Sequence, residues 1–114
     1  MGVWKNYRVN CPTSLVQHKL AGKAVRAALI ICLLNAEAFA NFIRNRVSKG
    51  GAKFDEKTVS VTVMIRKSTV ETLTFLLNQL GVEVRSKSQL LTLALDFAIN
   101  RRNRDFRTLL SSFF

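Results

Sequence analysis

The chain has 114 residues, and its 18 Lys and Arg side chains outnumber seven Asp and Glu side chains, for a formal net charge of +11. This length predicts one small domain with an extension, and the charge favours nucleic acid as partner over anionic lipid or a plain solubility effect. Two cysteines and one histidine are too few for a disulfide framework or a zinc site, which favours a reducing, intracellular setting.

The first half of the chain predicts an arm, a helical extension and a linker. We expect residues 1–13 to form an irregular N-terminal arm and residues 14–47 a helical extension that opens with a capping box at Ser14. The apolar run Ala24–Val47 is interrupted too often by polar residues to span a membrane. We expect a buried helix there, covered by the other protomer, by the second helix of the core motif (the helix expected after Ser86) or by a third protein. We expect residues 48–57 to form a flexible basic linker.

The next stretch predicts a β-strand with one buried face, because apolar and polar residues alternate from Thr58 to Ile65. The β-branched residues of one face are Val59, Val61, Val63 and Ile65, and the other face carries Ser60, Thr62 and Met64. A single strand leaves backbone donors and acceptors unpaired. Since no second strand is evident in the sequence, we expect pairing with a second copy in a two-fold dimer.

Two capped helices and a basic tail follow the strand. Ser68 and Glu71 have capping-box spacing, and Gly81 is placed to end the first helix. Ser86 and Gln89 form a second capping box before a helix with a broad apolar stripe that ends near residue 100. The tail, residues 101–114, combines a basic cluster with apolar residues at helical spacing: Phe106, Leu109, Leu110 and Phe113. We expect it to form a short amphipathic helix docked on the N-terminal helix.

The order of strand, capped helix, glycine and Ser-Lys-Ser before a second helix resembles the ribbon–helix–helix family of DNA-binding proteins, which includes Arc and MetJ. The resemblance covers about residues 57–100, with residues 58–100 as the core. Arg66 stands where the family often has proline, and Val82–Arg85 lengthen the loop before the second helix. The resemblance implies a mainly α fold with one short β-strand. Two chains would form an intermolecular two-stranded antiparallel ribbon backed by four helices, with an extra N-terminal helical element in each.

The resemblance also implies two sets of DNA contacts. The outward strand residues would touch base edges in the major groove: Ser60, Thr62 and Met64. A phosphate would bind the free N–H groups that open the second helix. The phosphate-contacting residues would be those of this helix start and the basic residues beside it and in the tail: Ser86, Lys87, Ser88, Arg66, Lys67, Arg85, Arg101 and Arg102. An ordinary solvated strand face and plain helix capping are the alternatives.

The sequence gives no positive sign of catalysis. It contains no phosphate-binding glycine loop and no nucleophile elbow, so we expect no enzyme, no cofactor and no metal site. We expect a cytoplasmic, DNA-associated homodimer, or a higher oligomer, that binds double-stranded DNA sequence-specifically. A transcriptional repressor or a plasmid- or viral-type regulator fits best. The alternatives are a non-specific or architectural binder in a partition or transfer complex, a protein-interaction module using the apolar N-terminal helix, and a membrane-surface protein.

Overall fold

The structure is a computed structural model that describes residues 3–112. Its elements in chain order are β1 (Trp4–Pro12), α1 (Thr13–Gln17), α2 (Ala21–Leu34), α3 (Ala36–Ser48), β2 (Thr58–Arg66), α4 (Lys67–Gln79), α5 (Lys87–Arg101) and α6 (Asn103–Ser112). The described part of the chain is mainly helical with one two-stranded antiparallel sheet. The same order, a strand followed by three helices, occurs twice.

β1 and β2 pair with each other within one chain to form an antiparallel ribbon. Nine residue pairs form it, and Arg8 faces Thr62 at its centre. The N-terminal segment is therefore a strand from Trp4 to Pro12 and not an irregular arm. The sequence shows no partner for β2 and predicts one from a second chain; in the structure β1 of the same chain pairs with β2 and satisfies the backbone groups of that edge.

The ribbon ladder continues into the helices at both ends. The N–H of Thr13, the first residue of α1, donates to the carbonyl of Lys57 at 3.0 Å. The N–H of Lys67, the first residue of α4, donates to the carbonyl of Val3 at 2.8 Å. The two halves of the chain therefore leave the ribbon in the same way, with a helix that starts directly at the end of its strand.

One face of the ribbon is buried in the core. The buried residues are Tyr7, Val9 and Cys11 from β1, and Val63 and Ile65 from β2. Val61 is only partly buried and Val59 is 40% exposed. The predicted buried face of β2 is thus confirmed for its second half, where the strand lies over the helices.

α2 and α5 form the centre of the helical layer. They pack against each other, and each lies on the strand of the other half, α2 on β2 and α5 on β1. The buried face of α2 consists of Ala24, Val25, Ala27, Ala28, Leu29, Ile31 and Cys32. The apolar N-terminal run is therefore covered by a later helix of the same chain, one of the three partners that the sequence left open.

The predicted continuous helix over Ala24–Val47 is wrong, because Asn35 divides it into α2 and α3. Asn35 has φ −132° and ψ 42°, and its side-chain amide donates to the carbonyl of Ile31 at 2.8 Å. Within residues 3–112 no single helix is long and apolar enough to cross a membrane. Taken together, α2 and α3 have the length and composition of a membrane span, but they are bent by 109° relative to each other.

α4 begins differently from the prediction and ends as predicted. Its N-cap is Arg66 without a side-chain cap bond, so the expected capping box of Ser68 and Glu71 is not formed. The strand runs straight into the helix, which leaves no turn for Ser68 to cap. At the other end Gly81 has φ +79°, and the N–H of Val82 closes a Schellman motif on the preceding turn.

The tail forms the predicted amphipathic helix, α6, and it packs on α2 and α5. Phe106 is buried, and Leu109 and Leu110 are partly buried against the core. The predicted fourth apolar position, Phe113, lies outside the described residues.

The linker between α3 and β2 is anchored by a buried carboxylate. Asp96 of α5 is fully buried and accepts hydrogen bonds from Arg46 Nε at 2.8 Å and from the N–H of Lys53 at 2.9 Å. Asn100 donates to the same carboxylate at 2.6 Å and to the Lys53 carbonyl at 3.1 Å. This network joins α3, the linker and α5, so the linker is fixed at Lys53 and not flexible throughout.

Glu56 provides the cap of α1. Its carboxylate accepts the N–H of Ser14 at 2.7 Å, the Ser14 hydroxyl at 2.8 Å and the Thr13 hydroxyl at 3.0 Å. These bonds, the Ser14 N–H first among them, hold the pKa of the Glu56 carboxyl below its ordinary value of 4.5. The predicted capping box at Ser14 is replaced by this longer-range cap, and Pro12 is the N-cap residue.

We predict that Asp96→Ala lowers the free energy of unfolding by about 3 kcal/mol or more, because it leaves Arg46 without its buried partner. Urea unfolding measures the loss. Glu83→Ala, which removes the same charge from an exposed loop position, is the control and should change stability by less than about 0.5 kcal/mol. Equal losses in both variants would show that the buried network contributes nothing specific.

Glu56 gives a stability contribution that depends on pH. Because its pKa is lower in the folded state, the contribution is complete above the unfolded value of 4.5 and is lost as pH falls through the folded pKa. We predict that Glu56→Gln lowers the urea midpoint at neutral pH and flattens its fall on the acid side of 4.5. A variant whose midpoint falls on acidification as steeply as that of the unmodified protein would contradict the cap.

Candidate nucleic-acid interface

The outward face of the ribbon is exposed from Trp4 to Asn10 on β1 and from Thr58 to Arg66 on β2, and only Pro12 at its edge is buried. Alternation along each strand turns every second side chain away from the core. The exposed residues between the strand ends are Asn6, Arg8 and Asn10 from β1 and Ser60, Thr62 and Met64 from β2. The three residues predicted from β2 to contact bases therefore lie side by side on one open surface.

The β1 half of this face is not among the residues predicted from the sequence. Across the ribbon Asn6 lies opposite Met64, Arg8 opposite Thr62, and Asn10 opposite Ser60. The sequence does show an alternation of these three β1 residues with Tyr7, Val9 and Cys11, which are buried. The alternation is short, and the exposed Trp4 and Lys5 at the start of β1 do not follow it.

The face carries hydrogen-bonding groups suited to nucleobases. Arg8 offers a planar fork of donors that matches the acceptors of guanine, and the amides of Asn6 and Asn10 can pair with adenine. Serine and threonine hydroxyls suit several bases, while an apolar side chain such as Met64 suits the thymine methyl group. Neither strand contains an acidic residue, so nothing on the ribbon repels a polyanion.

The ribbon is positioned by the helix that lies against it. The N–H of Asn10 points away from β2 and donates to the hydroxyl of Thr92 in α5 at 3.1 Å. That hydroxyl donates in turn to the carbonyl of Ser88 at 2.9 Å. One end of the outward face is therefore fixed relative to the first turns of α5.

The start of α5 is capped as the sequence predicts. Ser86 is the N-cap, and its hydroxyl accepts the N–H of Gln89 at 3.1 Å. The Gln89 side chain accepts the N–H of Arg85 at 2.8 Å, one residue earlier than in a standard capping box. The N–H groups of Lys87 and Ser88 lie in the first turn, where a helix has no carbonyl to offer them. They are available to an anion.

Two of the predicted basic residues, Arg85 and Lys87, lie at this helix start, whereas Arg66 and Lys67 lie at the far end of the ribbon, where β2 passes into α4. Arg85 and Lys87 are exposed, and the ammonium of Lys87 donates to the Thr74 hydroxyl of α4 at 3.0 Å. Lys67 is about half exposed and lies 3.6 Å from Glu71, four residues along α4. The guanidinium of Arg66 is 5.3 Å from the ring centre of Trp4 at one end of the ribbon.

A cleft joins the ribbon to the start of α5. It has a volume of about 340 Å³, and it is lined by Asn10 and Thr58 at the ribbon end and by residues of the helix start: Arg85, Ser86, Ser88 and Gln89. Gly50 and Gly51 of the linker complete its wall. Predicted base-contacting and phosphate-contacting elements are thus neighbours in the fold.

The structure does not bring Arg101 and Arg102 to that helix start. They lie at the other end of α5, about 20 Å away at 1.5 Å per residue. The guanidinium of Arg101 is 5.5 Å from the ring centre of Phe42, and that of Arg102 is 5.3 Å from the ring centre of Phe97. Both cover the aromatic part of the core, so any phosphate that they contact differs from the one at Ser86.

The two cysteines take no part in this surface. Cys11 and Cys32 are buried and free. Burial raises the pKa of the Cys11 thiol to about 11 and raises that of Cys32 well above its ordinary value. Cys32 thus packs as a small apolar residue of the core. Among the described residues no group of three or more His, Cys, Asp or Glu side chains could hold a metal ion.

No protein-family model, no curated protein and no solved structure matches this chain. What this surface can bind therefore has to follow from its side chains and from how the fold presents them.

We predict that Ser86→Ala lowers the free energy of unfolding by about 1 kcal/mol, because the N–H of Gln89 loses its acceptor. Ser88→Ala, two residues on in the same helix, is the matched control and should cost less than about 0.5 kcal/mol. Thermal or urea unfolding of the two variants distinguishes them. Equal costs would mean that the α5 cap is not formed by Ser86.

Proposed function

We propose that the protein binds double-stranded DNA sequence-specifically by inserting the outward face of the β1–β2 ribbon into the major groove. The main support for the proposal is that six polar or flexible side chains are exposed on that face, three from each strand: Asn6, Arg8, Asn10, Ser60, Thr62 and Met64. A major groove about 12 Å wide accepts a two-stranded ribbon, and ribbon readers of this kind are an established docking mode.

Phosphate contacts would set the register of the ribbon in the groove. The first-turn N–H groups of α5 and the side chains of Arg85 and Lys87 lie beside one end of the ribbon. Arg66 and Lys67 lie at the other end, where β2 passes into α4. Contacts of this kind position a protein without reading sequence, and they make affinity depend on salt.

One chain is the binding unit in this proposal, in place of the homodimer expected from the sequence. The ribbon that a second copy was expected to complete is completed by β1. The resemblance to the ribbon–helix–helix family supports the same mode of action, with both strands supplied by one molecule. The role that fits best is a repressor or a plasmid- or viral-type regulator that occupies its site on cytoplasmic DNA.

The alternative of a protein-interaction module has less support. It depended on an uncovered apolar N-terminal helix, whereas the apolar face of α2 is buried against α5 and α6. Binding to DNA without sequence preference, as in an architectural protein, is the second candidate because the basic surface alone would produce it. The two DNA-binding functions differ in one measurable property, the enrichment of a motif.

The test is a binding titration with random duplex DNA over a salt series, followed by sequencing of the bound fraction. We expect tight binding at low salt, a steep loss of affinity as salt rises, and an enriched motif. Binding without enrichment would favour the architectural function. Absence of binding at low salt would rule out DNA as the partner.

Substitutions separate base reading from phosphate binding. Arg8→Ala and Thr62→Ala should reduce preference for the enriched motif, by about 1–3 kcal/mol for Arg8 if it forms a bidentate pair. Lys87→Ala should weaken all sequences alike and reduce the salt slope by about 1. Arg104→Ala removes an equal charge from the exposed face of α6 and serves as the control. Unchanged preference in both ribbon variants would exclude the ribbon as the reading element.

A further inference from the structure

We infer that a single chain reads a non-palindromic duplex sequence, an inference that rests on the proposed DNA binding and specifies its target. A homodimeric ribbon presents the same side chains to both halves of its site, which is why the operator repeats the symmetry of the protein. The ribbon here is built from two different strands of one chain, so that reason for a palindrome is absent.

The asymmetry is visible when the ribbon is turned end for end. The central pair, Arg8 and Thr62, would have to be identical in a symmetric ribbon. The same rotation would exchange Asn6 with Ser60, and Asn10 with Met64. All three exchanges join unlike residues, so each half of a palindromic site would meet a different set of chemical groups.

The differences bear on base recognition. The β1 side offers two amides and a guanidinium, which favour adenine and guanine. The β2 side offers two hydroxyls and a thioether, of which the hydroxyls discriminate weakly and the thioether suits a thymine methyl group. We therefore expect stronger sequence constraint where β1 contacts the DNA, with guanine opposite Arg8 and adenine opposite at least one of Asn6 and Asn10.

The two ends of the ribbon differ as well. At one end Trp4 pairs with Arg66, and the indole, which is 46% exposed, lies under the guanidinium. At the other end Pro12 pairs with Thr58, beside the cleft that leads to the start of α5. The DNA backbone on the two sides of the groove would thus contact different groups, which fixes one orientation of the protein on its site.

The ribbon also limits the length of the sequence that one chain can read. From Asn6 to Asn10 the strand advances four residues, or about 14 Å at about 3.4 Å per residue. Base pairs stack at about the same spacing. One chain therefore contacts the edges of about five consecutive base pairs, a length consistent with a single major-groove segment.

The first experiment compares the enriched motif with symmetrised versions of itself. Two control duplexes are made by replacing either half of the motif with the reverse complement of the other half. We expect the native motif to bind about tenfold or more tightly than both, since each symmetrised site loses matched contacts on one strand. Light scattering on the complex should show one chain per site.

The second experiment makes the reading face symmetric. The triple variant Asn6→Ser, Arg8→Thr, Asn10→Met gives β1 the outward residues of β2 and changes only exposed positions. Its unfolding midpoint should stay near that of the unmodified protein, and repeated selection should yield a palindromic motif. Arg104→Thr removes the same charge outside the ribbon and should leave the motif unchanged.

The outcomes separate this inference from the proposed function. A symmetrised site that binds as tightly as the native motif, or two chains on each site, would overturn the inference and leave specific DNA binding intact. Binding without an enriched motif would overturn it and favour the architectural function. Absence of binding at low salt would overturn the inference and the proposed function together.

Discussion

The antiparallel pairing of β1 with β2 is the contact on which the rest of the structure depends. Alternation gives each strand two faces, and the register of the pairing decides which residues enter the core. A slip of one residue would move Asn6, Arg8 and Asn10 inward and expose Tyr7 and Val9. The register therefore determines both which apolar residues are buried and which polar residues are exposed. The exposed polar residues form the candidate DNA-binding face.

The helices and the linker hold that register. The first residues of α1 and α4 extend the ladder at its two ends, and α2 and α5 each lie on the strand of the other half. Asp96 binds Arg46 and the linker at Lys53, five residues before β2 begins. Because α2 and α5 each pack on the strand of the other half, neither half can bury its apolar surface alone. We therefore expect the two halves to fold as one unit.

The second half of the chain could be predicted from the sequence more fully than the first, for physical reasons. β2, the glycine stop at Gly81 and the Ser86 cap depend on neighbouring residues, and the sequence shows these directly. β1 was missed because only a few residues alternate before Pro12, and the break at Asn35 lies in an apolar run without glycine or proline. The buried role of Asp96 depends on Arg46, fifty residues away, and no local pattern reveals such a contact. Because β1 was not predicted, its three outward residues were not predicted either, whereas the three outward residues of β2 were.

The most direct test of the account is to determine whether the ribbon forms within one chain. An isotope-filtered NOE experiment on a mixture of labelled and unlabelled protein separates contacts within a chain from contacts between chains. We predict that Val9 and Val61, which face each other across the ribbon, show NOEs only within a chain, in a particle of 12.8 kDa. NOEs between labelled and unlabelled chains at this pair would contradict it, since the ribbon would then join two copies.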